Sequence, residues 1–247
     1  MNKLPLLLSL VLVGALTSMP ASRTAQQITI TVFAASSLAD TYKELAQSFS
    51  KSHKNWRIAF SFQASSTLAT QLNAGAPADL FVSASKVEMA QAKSRVGRPL
   101  NYVSNRVVVA FKTGGSVKSF ADLNKSGVIW IQCAHEVPCG QAADSALKSK
   151  GIVTSKPVSY EPKVSSAVAK LVSGEVDAAI IYHTDVLANS KTLSELAFSN
   201  PKSALTQYQI GLVSKSKNAA LTKIFLNFLL SKSSMQVMKE HGFEISK

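Results

Sequence analysis

Two short runs of small hydroxyl-bearing residues carry the chemistry of this chain: Ala34-Ala35-Ser36-Ser37 and Ala64-Ser65-Ser66-Thr67. Each ends an apolar, strand-like stretch, ITITVF at 28–33 and IAFSF at 58–62. Each also opens a stripe at helical spacing: Leu38, Tyr42, Leu45 and Phe49 after the first, Leu68 and Leu72 after the second. A serine between strand and helix has two uses. It caps the helix with its hydroxyl, or it offers that hydroxyl, beside the free first-turn amides, to an anion. One such junction reads as an ordinary cap. A second copy changes the reading, because two parallel strands with the same ending bring both helix starts to one sheet edge. Open α/β sheets bind their ligands at that edge. The expected chemistry is an anion held by hydroxyls and amides.

Other reactive residue types are present but do not assemble into a catalytic pattern. Neither junction has the GxSxG elbow of a serine hydrolase. The four histidines, His53, His135, His183 and His241, form no HExxH or comparable pair. His183, beside Tyr182, reads as a rim or cap residue rather than a base. Asp40 and Glu44 lie one helical turn apart and read as solvated charges on an exposed face. The glycines of Lys112-Thr113-Gly114-Gly115-Ser116 lack the GxxxxGK[ST] phosphate-loop pattern and read as a turn. Cys133 and Cys139, in IQCAHEVPCGQ, are compatible with a disulfide, with free thiols or, with His135, with an incomplete zinc set. Export favours the disulfide.

The compartment follows from the first residues. Lys3 precedes a nearly all-apolar run from Leu4 to Leu16, and the small residues Ser18, Ala21, Ser22 and Ala25 follow. That run is shorter than the roughly 20 residues of a membrane span, so residues 1–25 read as a secretory signal cleaved within 21–25. No cysteine lies near the cleavage region, which argues against a lipid anchor, and no later segment reads as transmembrane. A soluble periplasmic protein is expected. Its 247 residues, 46% hydrophobic and 17% charged, make a globular chain with ample core and exclude a disordered one. The formal net charge is +13, of which removal of residues 1–21 takes only Lys3. The lysines are scattered, without an RGG, zinc-finger or RNA-motif pattern, so no nucleic-acid partner is expected. The field still favours small anions.

Periodicity also predicts the elements that must position the two junctions. Gly75 and Pro77 stop the second helix, and Leu80-Phe81-Val82 reads as a third buried strand. The β-α-β-α-β order implies a parallel sheet. A short helix at 86–94 and a strand at 107–111 (VVVAF) come next. The rhythm then restarts with a helical turn at 120–124, a strand at 128–131 and a loop at 133–140. Helices at 141–150 and 163–173 are ended by Gly151 and Gly174, and a strand at 176–182 ends in Tyr182. A strand at 208–213 (YQIGLV) and helices at 219–230 and 234–241 complete the chain. The predicted fold class is α/β, a two-lobed clamshell with a mostly parallel, helix-flanked sheet in each lobe. VVVAF and YQIGLV cross between lobes, with lobe 1 at 26–108 plus 208–247 and lobe 2 at 109–207.

The motifs VFAASSL, FQASSTLATQLNAGAPADLFVSA, VPCG, KVSSAVAKLVSGEVDAAIIY and HGFEI occur in one order along the mature chain. In them the sequence resembles the molybdate-binding subunit (ModA family) of bacterial ABC importers, a type II periplasmic binding protein. The resemblance implies a monomeric binding protein, not an enzyme, which captures molybdate or tungstate without a cofactor and delivers it to a membrane permease. It implies an oxyanion held by the hydroxyls of Ser37 and Ser65, the amides of Cys139 and Val164, and the hydroxyl of Tyr182. Molybdenum then enters as the oxyanion, and no cation site is implied. Cys139 departs from the family's usual alanine, but its N–H still donates, and a Cys133–Cys139 bridge would stiffen the loop presenting it. The rivals are a binder of another tetrahedral anion such as sulfate, and a secreted hydrolase. Ferric ion would want clustered tyrosines and carboxylates, and an organic acid an arginine clamp; the implied pocket residues include one tyrosine, Tyr182, and no carboxylate or arginine.

Overall fold

Residues 27–150 and 156–245 are described by the computed structural model. The signal expected at 1–25 and the helix stop at Gly151 lie outside them. Strand β1 (Ile28–Ala35) sends successive side chains to opposite faces and buries both from Val32 onward. Ile30, Val32 and Ala34 pack with Tyr42, Leu45, Phe225 and Leu229, while Phe33 packs on the other side with Leu68, Leu72 and Phe81. A 3-10 turn (Ser36–Leu38) leads into α1 (Ala39–Ser52), and β2 (Trp56–Gln63) leads into α2 (Ser65–Asn73). β1 and β2 are parallel, and the offset that pairs Ala35 with Gln63 also relates Ser37 to Ser65. β3 (Leu80–Ser83) adds to the other side of β1, again parallel, and α3 (Lys86–Gln91) follows.

The second half repeats the design. After β4 (Leu100–Lys112) come a 3-10 turn (Phe120–Asn124), β5 (Trp130–Cys133), α4 (Pro138–Lys150), β6 (Tyr160–Glu161) and α5 (Val164–Ser173). β7 (Ala178–Tyr182), α6 (His183–Ala188), β8 (Leu193–Ala197) and β9 (Leu205–Leu212) follow, then α7 (Ala219–Leu229), α8 (Lys232–Glu240) and β10 (Glu244–Ile245). β6, β5 and β7 form a second parallel set, packed through Trp130, Ile131, Ile180 and Ile181 against Ala143 and Ala146 of α4 and Leu171 of α5. The strand order is β2-β1-β3-β9-β4-β7-β5-β6, with β8 and β10 also on β4. The result is the two-lobed α/β clamshell, in which a parallel triplet in each half is joined by antiparallel crossing strands.

β4 extends well beyond the VVVAF expected at 107–111. Asn101, Ser104 and Asn105 break the apolar run, and the register with β9 shifts between Asn101 and Ser104, so the strand continues where its hydropathy fails. Residues 100–106 of β4 pair with β9, and Val107 to Phe111 pair with β7. Short or amphipathic strands went unread: β6, β8 and β10. α4 begins at Pro138 rather than at 141, which puts Cys139 and Gly140 in its first turn instead of a loop. Proline suits a first helical position, where its missing N–H is not needed. Glu44, expected to be merely solvated, binds the His241 ring at 2.8 Å and so ties α1 to the end of α8.

The AGAPADLF run acts through Asp79, only 7% exposed. Its carboxylate accepts the Thr31 N–H at 2.7 Å and the Ser216 hydroxyl, with the Asn218 amide 3.4 Å away. Its backbone accepts the Val213 N–H at 2.9 Å. One side chain thus ties β1, the entry to β3 and the exit from β9. Asp79→Ala leaves the Thr31 N–H and the Ser216 hydroxyl unpaired at a cost of about 2–4 kcal/mol. Scanning calorimetry should show a midpoint lower by roughly 4–16 °C for a chain of this size; a change within 1–2 °C would contradict this role.

Candidate functional site

Where β1 and β2 end, a small, tight cavity of about 10 Å³ lies between the two halves. Its wall includes Ser36, Ser37, Gln63 and Ser65 from the first half, and Cys139, Lys163, Val164 and Tyr182 from the second. All five residues singled out from sequence therefore line one cavity. The same wall holds Ala35, Ala64, Ala84, Val137 and Pro138, whose small or apolar side chains leave room for backbone.

The helix starts around this cavity are not capped by side chains. The N-cap positions are Ala35 before the 3-10 turn, Ala64 before α2 and Lys163 before α5, and none makes a side-chain cap bond. The ordinary use of the serines, as caps, is therefore not the one found. Ser65 is the first residue of α2 and 1% exposed. Its oxygen accepts the Ala84 N–H at 2.9 Å, which leaves the hydroxyl proton to donate elsewhere. Ser37 shares a 2.7 Å hydrogen bond with the Tyr208 hydroxyl of β9. Among the described residues these bonds go to a tyrosine hydroxyl and a backbone amide, not to an imidazole or carboxylate.

Tyr182 ends β7, and its hydroxyl is buried without a hydrogen bond of good geometry. The Thr206 and Tyr208 hydroxyls are its neighbours, and the Tyr182 and Tyr208 rings lie 6.4 Å apart. Burial, and then Tyr208, hold the Tyr182 hydroxyl well above its ordinary pKa, so it stays protonated and able to donate. Burial does the same for Tyr208. An unsatisfied buried hydroxyl is costly, and it is the kind of group a ligand completes.

The second half presents backbone. A Cys133–Cys139 disulfide closes the β5–α4 connection, which removes the free-thiol and zinc alternatives for this pair. Gly140 follows because a Cβ there would meet the Ala134 carbonyl oxygen at 1.9 Å. Val164 is the first residue of α5 and lines the cavity, whereas its neighbour Ser165 is exposed and does not. Lys163 is the single charged side chain in the wall, and its Nζ lies 3.3 Å from Gln63 Oε1 on the opposite half. A second bond between the halves runs from Gln141 Nε2 to Glu88 Oε1 at 2.9 Å. His183 stands next to Tyr182 but pairs with Glu195, its Nδ1 being 2.8 Å from Oε2.

Sequence reasoning missed Tyr208, Gln63 and the Ala84 amide. Gln63 carried a usable signal, directly before the second Ala-Ser-Ser. Tyr208 carried none, since only the β3–β9–β4 pairing brings it beside Ser37.

Comparison with known proteins places these features in context. The family described as bacterial extracellular solute-binding protein matches residues 30–244. The chain is similar to the molybdate-binding protein ModA of Mycobacterium tuberculosis, 31% identical over 231 residues, covering 92% of this chain and 88% of that one. In fold it is similar to the periplasmic molybdate-binding protein of Azotobacter vinelandii, with a TM-score of 0.78 at 18% identity over 88% of this chain and all of that one. It is also similar to the sulfate-binding protein SubI of Mycobacterium tuberculosis, with a TM-score of 0.76 at 15% identity over 90% of this chain and 88% of that one.

Behind the cavity, Asp185 accepts the Tyr182 N–H at 3.0 Å. The residue is only partly buried, but its carboxyl group is enclosed. That burial first, against the lowering effect of this bond, and then the Asp40 charge, raise its pKa from 3.8 to about 7. The folded protein therefore keeps a proton that the unfolded chain loses, and stability falls as pH rises from about 4 to about 7. Asp185→Asn keeps an acceptor for Tyr182 and removes the titration. Melting midpoints across that window should fall more in the parent than in the variant. Parallel curves would contradict the enclosed, protonated carboxyl.

Proposed function

The chain belongs to the family of bacterial extracellular solute-binding proteins, and from that premise we propose that it captures molybdate, and tungstate with it, between its lobes. It then delivers the anion to the membrane permease of an ABC importer. It works as a monomer in the periplasm, after export and removal of residues 1–25. The hinge lies near the change of β4 partner, so that 26–108 with 208–247 moves against 109–207.

The observation that carries this reading is a wall of donors with one buried hydroxyl, that of Tyr182, that makes no hydrogen bond of good geometry. A dianion leaves water only where hydrogen bonds replace its hydration shell. Ser37, Ser65 and Tyr182 supply hydroxyl protons, and the helix starts at Cys139 and Val164 supply amides with a partial positive charge. No carboxylate lines the cavity among the described residues, and the one side-chain amide oxygen, on Gln63, is engaged by Lys163. A fully deprotonated tetrahedral anion finds donors on every side. Hydrogen phosphate brings a proton that finds no carboxylate and only hydroxyl oxygens whose own protons are needed by the anion, at a cost of roughly 1–3 kcal/mol. Sulfate matches in charge, and its shorter bonds reach fewer donors across the cleft.

Ligand class is tested by melting curves. A ligand at a hundredfold excess over its Kd stabilises the fold by about 2.7 kcal/mol, or roughly 5–11 °C here. Molybdate and tungstate should do this at micromolar concentration, sulfate weakly and phosphate not at all. Equal shifts from all four anions at one concentration would mean screening of the positive charge, not a specific site.

The residue roles are tested by titration and stopped flow. Ser37→Ala and Ser65→Ala each remove one charge-assisted bond and should lose one to two decades of affinity while the unliganded fold holds. Tyr182→Phe should raise the dissociation rate more than it slows association, because its hydroxyl latches the closed form. Serine variants that bind like the parent would place the site elsewhere.

A further inference from the structure

The geometry points to Lys163 as the residue by which this cavity reads the charge of its anion, and not only its shape. The inference rests on the oxyanion reading above. Lys163 is the only charged side chain in the cavity wall among the described residues. It occupies the N-cap of α5 in an extended conformation, and its side chain makes no cap bond there. Its Nζ instead reaches across the cleft to Gln63 Oε1 at 3.3 Å. That partner is a neutral amide, which orients the ammonium without cancelling its charge. The group is partly buried, so water screens it less than it screens the scattered surface lysines. Every other donor in the wall is neutral.

Hydroxyls and amides recognise the oxygens of a tetrahedral anion and also favour two negative charges over one, but each brings only a partial charge. A fixed positive charge discriminates strongly, since its interaction energy scales with the charge of the ligand. Lys163 therefore favours the dianion over a monoanion of the same shape. A tether that merely joined the halves would help both anions equally.

Tungstate and perrhenate separate the two roles, because both are tetrahedral four-oxygen anions of similar size and differ by one charge. Calorimetric titrations would compare the parent with Lys163→Gln, which keeps a polar contact to Gln63, and Lys163→Met, which removes charge and contact together. Linearity in charge predicts that perrhenate loses about the square root of the factor lost by tungstate. A loss of about 30-fold for tungstate thus accompanies about fivefold for perrhenate. The tungstate loss should also shrink as salt is raised. Equal losses for both anions in both variants, or full tungstate affinity in Lys163→Gln, would overturn the charge-reading role. A parent protein that bound neither molybdate nor tungstate would overturn the oxyanion reading and this inference with it.

Discussion

One hydrogen-bonded strand, β4, is shared by both sheets, and the site depends on where its partners change. Up to Arg106 it pairs with β9, and from Val107 it pairs with β7. A strand that switches partners leaves backbone groups at the seam that need other bonds. Asn105, 1% exposed, provides several. Its Oδ1 accepts the Arg106 N–H at 2.9 Å, its Nδ2 donates to Thr184 Oγ1 at 2.8 Å, and its carbonyl accepts the Thr206 hydroxyl at 3.4 Å. Arg106 adds ion pairs to Glu195 and Glu244 beside it. The two tyrosines of the site, Tyr208 on β9 and Tyr182 on β7, come from the strands on either side of this seam. Their separation is a property of the β4 ladder rather than of any local contact.

The helix starts show local stability set aside for function. Alanine at an N-cap in place of serine, threonine or asparagine costs about 0.5–2 kcal/mol. Here it recurs at Ala35 and Ala64, with serines present a residue or two later and turned to other bonds. Sequences break a local rule of this kind where a site needs the exposed groups. The uncapped amides, the Ser65 hydroxyl oriented by the Ala84 amide, and the Tyr182 hydroxyl without a hydrogen bond of good geometry all leave donors not fully engaged by protein. The Cys133–Cys139 bridge and Gly140 act on the same problem from the second half, where they hold the start of α4 close against the end of β5. Preorganised donors lose less entropy when they bind.

Much of this was legible in the residue order. Alternation over Ile28 to Phe33 and the stripe from Leu38 to Phe49 are local periodicities, and they became β1 and α1 with shifts of a few residues. The repeated Ala-Ser-Ser junction pointed to one sheet edge, and the parallel register of β1 and β2 puts both copies there. The helix ended by Gly174 was legible for the same reason: glycine alone sits easily in the left-handed conformation found at that cap.

What stayed hidden is non-local. β4 could not be read past its apolar half, because Asn101, Ser104 and Asn105 interrupt it, and the partners that bury Asn105 exist only once two sheets share the strand. The start of α4 at Pro138 was masked by a composition that reads as loop, and β6 is only two residues long, too short to leave a pattern. By itself the sequence determined the α/β rhythm and the two donor turns, since periodicity and motif are properties of neighbouring residues, while the family resemblance singled out Cys139, Val164 and Tyr182 among the residues that line the cavity. Only the tertiary structure decided that Ser37 meets Tyr208 and that Lys163 meets Gln63. The members of those pairs lie 171 and 100 positions apart, and only strand pairing and lobe contact bring them together.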